Sequence, residues 1–166
     1  MTLFDVSGVI LIAVDDFFTL DDKDGIAVNK GSIHRQFLDK YYTKNNVHKD
    51  IIAKIVDERN GATEITVTIG DKYFVLFAYS SQGKQENYST YMDYRRGFVE
   101  IGGSLEKALR YCKEHFPGKT VYTALIGTGV QNDRQGRLPY TECDAEARLH
   151  KLAKSVGIAI EVVKAN

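Results

Sequence analysis

Val9 to Val14 form an unbroken apolar run closed by Gly8 on one side and by Asp15 and Asp16 on the other. A run that is apolar at every position, rather than at every second one, predicts a strand covered on both faces, as in a parallel sheet. Thr19 to Gly31 is rich in aspartate and glycine and predicts a long loop, either a ligand-contacting one or a plain solvated connection. The rhythm then becomes helical: Ile33, Phe37, Leu38 and Tyr41 share one face, with Ser32 placed to cap them. Residues 50–57 read as a further strand or sheet edge. Residues 64–69 and 72–79 flank Gly70 and Asp71, a strong hairpin signal. Residues 80–88 are polar. Between 89 and 116, Leu105, Ala108, Leu109, Cys112 and Phe116 recur at helical spacing, with Gly102 and Gly103 placed to split the segment into two helices.

The last third is clearer. Residues 120–126 predict an apolar strand that runs into Gly127, Thr128 and Gly129. Thr141 opens a helix striped by Ala145, Leu149, Leu152, Ala153 and Val156, Gly157 stops it, and residues 158–163 return as a strand. Two strands joined through a helix in this way run parallel with a right-handed crossover. The pattern as a whole predicts an α/β fold around a mixed, mostly parallel sheet. Ligands of such sheets gather beyond the carboxyl ends of the strands, where this reading places Asp15 with Asp16, Ser80 with Ser81, and Gly127 to Gly129.

Composition narrows the function. At 166 residues with 43% apolar and 27% charged content, the whole chain, 1–166, reads as one domain whose core needs neither disulfides nor a structural metal. Lysine and arginine (22) balance aspartate and glutamate (22), which removes the broad positive field that general nucleic-acid binding requires. Cys112 and Cys143 form no metal-type pair, and His34, His48, His115 and His150 show no ligand spacing. No run approaches the length that spans a bilayer. The chain therefore reads as cytoplasmic, any membrane attachment coming from sequence outside these residues.

Several loops carry candidate chemistry. Gly127, Thr128 and Gly129 can bring bare backbone N–H groups against a diphosphate, although many glycine pairs only make turns. The helix start at Gly31, Ser32 and Ile33 is a second anion-competent element. Neither is a Walker loop or a dinucleotide fingerprint. Asp15 and Asp16 can accept from ribose hydroxyls or an amine, or act as a general base, or simply be solvated carboxylates at a strand end; neighbours on a strand point to opposite faces, so one of the two faces the pocket. Phe17 and Phe18 can stack on a ring or pack in the core. Val130, Gln131, Asn132 and Arg134, with Arg137 beyond them, form a polar segment able to close over an anion or to remain solvated. His34 is the one histidine near this pocket, and a surface role is expected for it. Tyr88, Tyr91 and Tyr94 read as helix packing, because no basic groove accompanies them.

The stretch Thr123 to Val130, TALIGTGV, resembles the second ligand loop of macrodomains. Val9 to Phe18, the acidic loop, and Gly31 to Phe37 resemble the first ligand loop of a divergent branch of that family, and Lys72 to Ser81 its next strand and loop. This branch is similar to the ligand-sensing macrodomains of Thoeris antiphage systems, in which a TIR-domain enzyme makes an ADP-ribose conjugate such as histidine–ADP-ribose. The resemblance covers nearly the whole chain, and the glycine loop is its specific part. It implies a three-layer α/β/α macrodomain-like fold and no cofactor beyond the ligand, ADP-ribose or a conjugate of it. The TIR enzyme is then a functional partner through its product. Three departures stand out: Asp15 where the branch has asparagine, no aspartate before the first strand unless Asp5 substitutes, and Arg35 where glycine usually follows the histidine.

What the resemblance implies first is a non-catalytic binding module for an ADP-ribose-derived signal, as the sensor of a defence effector or as a free-standing binder. The diphosphate would lie between Gly31 to Ile33 and Gly127 to Val130, with Asp15 to Phe18 around a ribose and Gln131 to Arg134 near the variable group. Two other readings stay open. One is a hydrolase that removes ADP-ribose from protein or nucleic acid, with Asp15, Asp16 and His34 as its candidate polar groups. The other is an interaction domain with a vestigial pocket, a reading that an oligomer would also fit.

Overall fold

In a computed structural model of the protein, residues 1–21, 28, 31–85, 88–93, 103–126 and 141–166 are described, with backbone alone for 80–85 and 88–93. A short 3-10 turn, Leu3–Asp5, leads into β1 (Gly8–Asp15). There follow α1 (Ile33–Tyr41), α2 (Lys49–Asp57), β2 (Glu64–Ile69), β3 (Lys72–Gln85), β4 (Tyr88–Asp93), α3 (Ser104–His115), β5 (Val121–Thr123), α4 (Glu142–Val156) and β6 (Ile160–Val162). The strands lie in the order β2-β3-β1-β5-β6, with β4 paired to the far part of β3. β1 is parallel to both β3 and β5, and β5 to β6, while β2 and β4 run antiparallel to β3. The sheet is thus mixed and mostly parallel, as the apolar runs predict.

β1 explains the layering. Its even positions Ile10, Ile12 and Val14 join a core with Phe37, Leu38 and Tyr41 of α1 and Ile52 and Val56 of α2. Its odd positions Val9 and Leu11 join a second core with Leu105, Ala108, Leu109 and Cys112 of α3 and Ala145, Leu149 and Leu152 of α4. A strand apolar at every position can be covered on both sides, so helices stack on each face and the fold has three layers. The first core is aromatic: Phe37 meets Phe74 edge-on with ring centroids 5.1 Å apart, and Tyr41 lies equally close to Phe74. Such pairs add to the burial of their rings.

Local signals worked where they were strong. Ser32 caps α1 by accepting from the Arg35 backbone N–H at 3.0 Å, and Thr141 caps α4 by accepting from that of Asp144 at 3.2 Å. Gly70, at φ +61°, is the first of two residues turning β2 into β3, the position where a type II′ hairpin demands glycine. The C-terminal carbonyl of α4 at Val156 accepts from Lys113 Nζ of α3 at 2.8 Å, which ties the two helices together.

Three expectations are corrected. Residues 50–57 are helical, not a strand: Ile52 and Val56, one turn apart, both pack in the first core, so the burial period is that of a helix. Ser80 and Ser81, expected in a loop, lie instead in the outer part of β3, which runs on to Gln85, where the antiparallel ladder with β4 satisfies the backbone whatever the side-chain polarity. Tyr88 and Tyr91 accordingly lie on β4 rather than on a helix, and the one described helix between 89 and 116 is α3. Tyr94 and Gly102 lie outside the described residues.

Candidate functional site

β1 and β5 are parallel neighbours, yet the helices that follow them lie on opposite faces: α1 packs in the first core and α4 in the second. Adjacent parallel strands whose connections leave in opposite directions open a crevice at their carboxyl ends, the place where open α/β sheets bind ligands. Asp15 ends β1 at this edge, opposite Ser80 of β3. On the β5 side, Thr123 is 1% exposed and its hydroxyl is shared between the carbonyls of Leu11 at 3.3 Å and Ala124 at 3.0 Å. This bond locks the floor between the two strands.

Asp15 is the most buried charged residue at the edge, at 1% exposure. Its Oδ1 accepts from the Thr19 N–H at 2.9 Å and its Oδ2 from the Thr19 hydroxyl at 2.5 Å. The Phe18 N–H donates to the Asp15 carbonyl at 3.0 Å, so residues 15–19 form one closed turn built on a single carboxylate. His34, expected at the surface, is 6% exposed. Helix α1 sets it at the second helical position, where Nε2 lies 2.9 Å from the Thr19 carbonyl and Nδ1 lies 3.8 Å from Asp15 Oδ1. A carbonyl only accepts, so Nε2 carries a hydrogen. The surface expectation failed because a lone histidine at a helix start does not reveal which loop folds over it.

Asp16 is half-buried, and Phe17 is 51% exposed at the same edge. Phe18 takes the other course: at φ +51° it turns inward, is 2% exposed and joins the first core. Gly31 is exposed and Ser32 and Ile33 are half-buried at the start of α1. The loop between β1 and α1 is tied back to that helix and the residue after it. Arg35 donates to the Val28 carbonyl at 3.0 Å, and the Tyr42 hydroxyl to Asp21 at 3.1 Å. Burial, followed by the Asp21 bond, pushes the Tyr42 hydroxyl above its ordinary pKa and keeps it a donor.

The structure therefore brings together Asp15, Asp16, Phe17, Phe18 and His34, with Gly31, Ser32 and Ile33 at the adjoining helix start and the Ser80 backbone beside Asp15. Gly127, Thr128, Gly129, Val130, Gln131, Asn132 and Arg134 lie outside the described residues. Asp5 accepts from the Thr2 N–H at 3.0 Å and hydroxyl at 2.8 Å, so its carboxylate closes a local turn. Sequence reasoning missed Thr19, which completes the Asp15 turn, and Arg59, whose guanidinium carbon lies 4.7 Å from the Phe18 ring centroid. An Asp-x-x-x-Thr spacing could have suggested the first. Nothing local could have found the second, which reaches Asp16 across 43 positions of sequence.

Other chemistry is thin. Among the described residues no group of three histidine, cysteine or acidic side chains is placed to hold a metal. Burial pushes the Cys112 thiol up to about 12, so it is no thiolate nucleophile. A groove lined by Thr2, Phe4, Gln36, Lys40 and Ala165 lies along α1 and has only exposed or half-buried polar side chains. No described helix is long and apolar enough to cross a membrane.

Residues 2–141 match the family model described as Thoeris protein ThsA, Macro domain. No curated protein matches the sequence. Among solved structures, a protein of unknown function from Bacteroides thetaiotaomicron aligns at 13% identity and TM-score 0.54, over 96% of this chain and 89% of that one. A second protein from the same organism aligns at 11% identity and TM-score 0.53, over 94% and 88%. A macrodomain protein from Streptomyces coelicolor aligns at 13% identity and TM-score 0.48, over 95% and 88%. At these identities the two Bacteroides structures speak for the fold alone.

Proposed function

From a chain that belongs to the Thoeris ThsA macrodomain family, we propose a single ligand-binding domain for an ADP-ribose-derived signal, produced in the cytoplasm by a TIR-domain enzyme. The observation that carries this reading is the switch-point crevice between β1 and β5, edged by the buried Asp15 turn and by the capped start of α1. The backbone N–H groups at Gly31 to Ile33 would face one side of the diphosphate. Gly127 to Val130 would supply the other. Asp15 has both carboxylate oxygens engaged by Thr19, so it would shape the ribose pocket while Asp16, Phe17 and the Ser80 backbone line it. Gln131, Asn132 and Arg134 would meet the variable group of a conjugate such as histidine–ADP-ribose.

The test is calorimetric titration with ADP-ribose and with histidine–ADP-ribose, followed by mass analysis of the recovered compound. Tight binding of the intact conjugate is expected. Release of ADP-ribose over time would make the protein a hydrolase, and no heat with either compound would remove the reading. Gly129→Val should abolish binding while the unfolding midpoint stays in place.

A further inference from the structure

The turn at residues 15–19 is not self-sufficient. Phe18 is a bulky residue at φ +51°, a conformation that costs free energy and persists only where its surroundings hold it. What holds it from outside is Arg59. The guanidinium carbon lies 4.7 Å over the Phe18 ring, Nη2 donates to the Asp16 carbonyl at 3.4 Å, and Nη1 donates to the Val56 carbonyl at 3.4 Å.

Topology explains how a residue so distant in sequence arrives there. Arg59 lies in the turn after α2, just before β2. Because β2 is antiparallel to β3, its first residue pairs at Phe77, close to the Ser80 that faces Asp15. The α2–β2 turn therefore stands at the same sheet edge as the crevice. The Val56 carbonyl belongs to the last turn of α2, whose partial negative charge favours a cation. The Phe18 ring face favours it again. Arg59 Nε is buried with no hydrogen-bond partner, and among the described residues no carboxylate pairs with the guanidinium. A guanidinium held this way serves the turn rather than an ion pair.

We infer that Arg59 is a positioning residue for the ligand edge. It clamps Phe18 and the Asp16 carbonyl so that the Asp15–Thr19 turn is already shaped for the ligand, and it acts without touching that ligand. The inference rests on the proposed binding site, and it adds a residue from the α2–β2 turn to a site otherwise built from the β1–α1 and β5–α4 connections. Preorganisation of this kind raises affinity by removing the cost of ordering the loop on binding.

The test is a double-mutant cycle read by calorimetry with ADP-ribose and histidine–ADP-ribose, on the wild type, Arg59→Met, Phe18→Leu and the double variant, with thermal unfolding of each. Arg59→Met keeps the length and apolar body of the side chain, so an unfolding midpoint near the wild type is expected together with about tenfold weaker binding. The double variant should bind no more weakly than the worse single one, because both act through the same turn. Arg59→Lys keeps the charge over the ring but not the two-carbonyl fork, and should recover part of the loss. Should Arg59→Met fail to fold, Arg59→Lys decides, with about threefold weaker binding expected. Unchanged affinity in the folded variant, or losses that add in full, overturns the inference while leaving the binding site standing. Absence of binding by the wild type overturns both.

Discussion

At the amino edge of β1, Ser7 donates its hydroxyl to Asp71, Gly8 N–H donates to the Asp71 carbonyl at 2.9 Å, and Lys72 Nζ donates to the Val6 carbonyl at 2.8 Å. At the carboxyl edge, seven residues on, Asp15 binds both the N–H and the hydroxyl of Thr19 with His34 alongside. Each edge uses a carboxylate, Asp15 to close its own turn and Asp71 to tie the β2–β3 turn to Ser7. They differ in burial: Asp71 is exposed and Asp15 is 1% exposed. In water a carboxylate that loses its partner is resolvated at little cost, whereas a buried group must be paired or the fold suffers. The amino edge is held by backbone geometry with polar groups added at the surface. The carboxyl edge is held by the polar groups themselves, in the crevice where the strand connections diverge.

The comparison breaks most easily at Asp15. Asp15→Ala removes the acceptor of the Thr19 N–H and hydroxyl from a part-buried turn, and is expected to lower stability by about 2–3 kcal/mol in chemical denaturation and to remove measurable ADP-ribose binding. Asp15→Asn keeps acceptor capacity toward Thr19 and should lose less of both. If Asp15→Ala binds as the wild type does, the carboxyl edge is a structural feature like its opposite.

Gly8 provides the matching change at the other edge. Its φ of +125° is one that side-chain-bearing residues rarely adopt, although a Cβ there would meet nothing nearer than Tyr122 at 3.8 Å. Gly8→Ala should therefore cost about 1–2 kcal/mol through backbone strain rather than crowding, with ligand affinity unchanged.

How much of this was legible follows from the range of each interaction. β1, the β2–β3 hairpin, the Ser32 cap and the strand, helix, strand order of the ending are written in neighbouring residues and matched, although the two closing strands are shorter, 121–123 and 160–162, than the 120–126 and 158–163 their apolar runs predict. Residues 50–57 were misread because a nine-residue helix with two buried positions gives too few turns to set its period. Ser80 and Ser81, and Tyr88 and Tyr91, were misread because a strand pair that extends beyond the main sheet is stabilised by backbone pairing, which polarity does not report. At the site, the carboxylate at the end of β1 and the helix start after it were visible as candidates. That Asp15 is buried while Asp16 is only half so, that His34 turns inward, and that Arg59 comes over from the turn after α2 depend on tertiary contacts between segments 15 to 43 positions apart.

The smallest effect concerns pH. The Ser7 hydroxyl holds the Asp71 carboxyl below its ordinary value of 3.8, and the Thr2 backbone N–H does the same for Asp5. A carboxyl lowered in the folded state stabilises the protein above its unfolded value and loses that contribution as pH falls through the folded one. Stability followed by denaturation from pH 5 downward, about the unfolded aspartate range, should therefore decline, and Ser7→Ala should flatten part of that decline. Both groups are fully exposed, so the change should be small, and neutral-pH ligand affinity should not move.

The most direct measurement of the central claim, that the divergent crevice between β1 and β5 is the ligand site, is to follow backbone amide resonances during titration with ADP-ribose and histidine–ADP-ribose. The account predicts the largest shifts at Asp15 to Thr19, Ser32 to Arg35 and Thr123 to Val130, with Ser7, Gly8 and Asp71 unmoved. Shifts concentrated at the amino edge, or along the groove beside Phe4 and Lys40, with the carboxyl edge still, would contradict it.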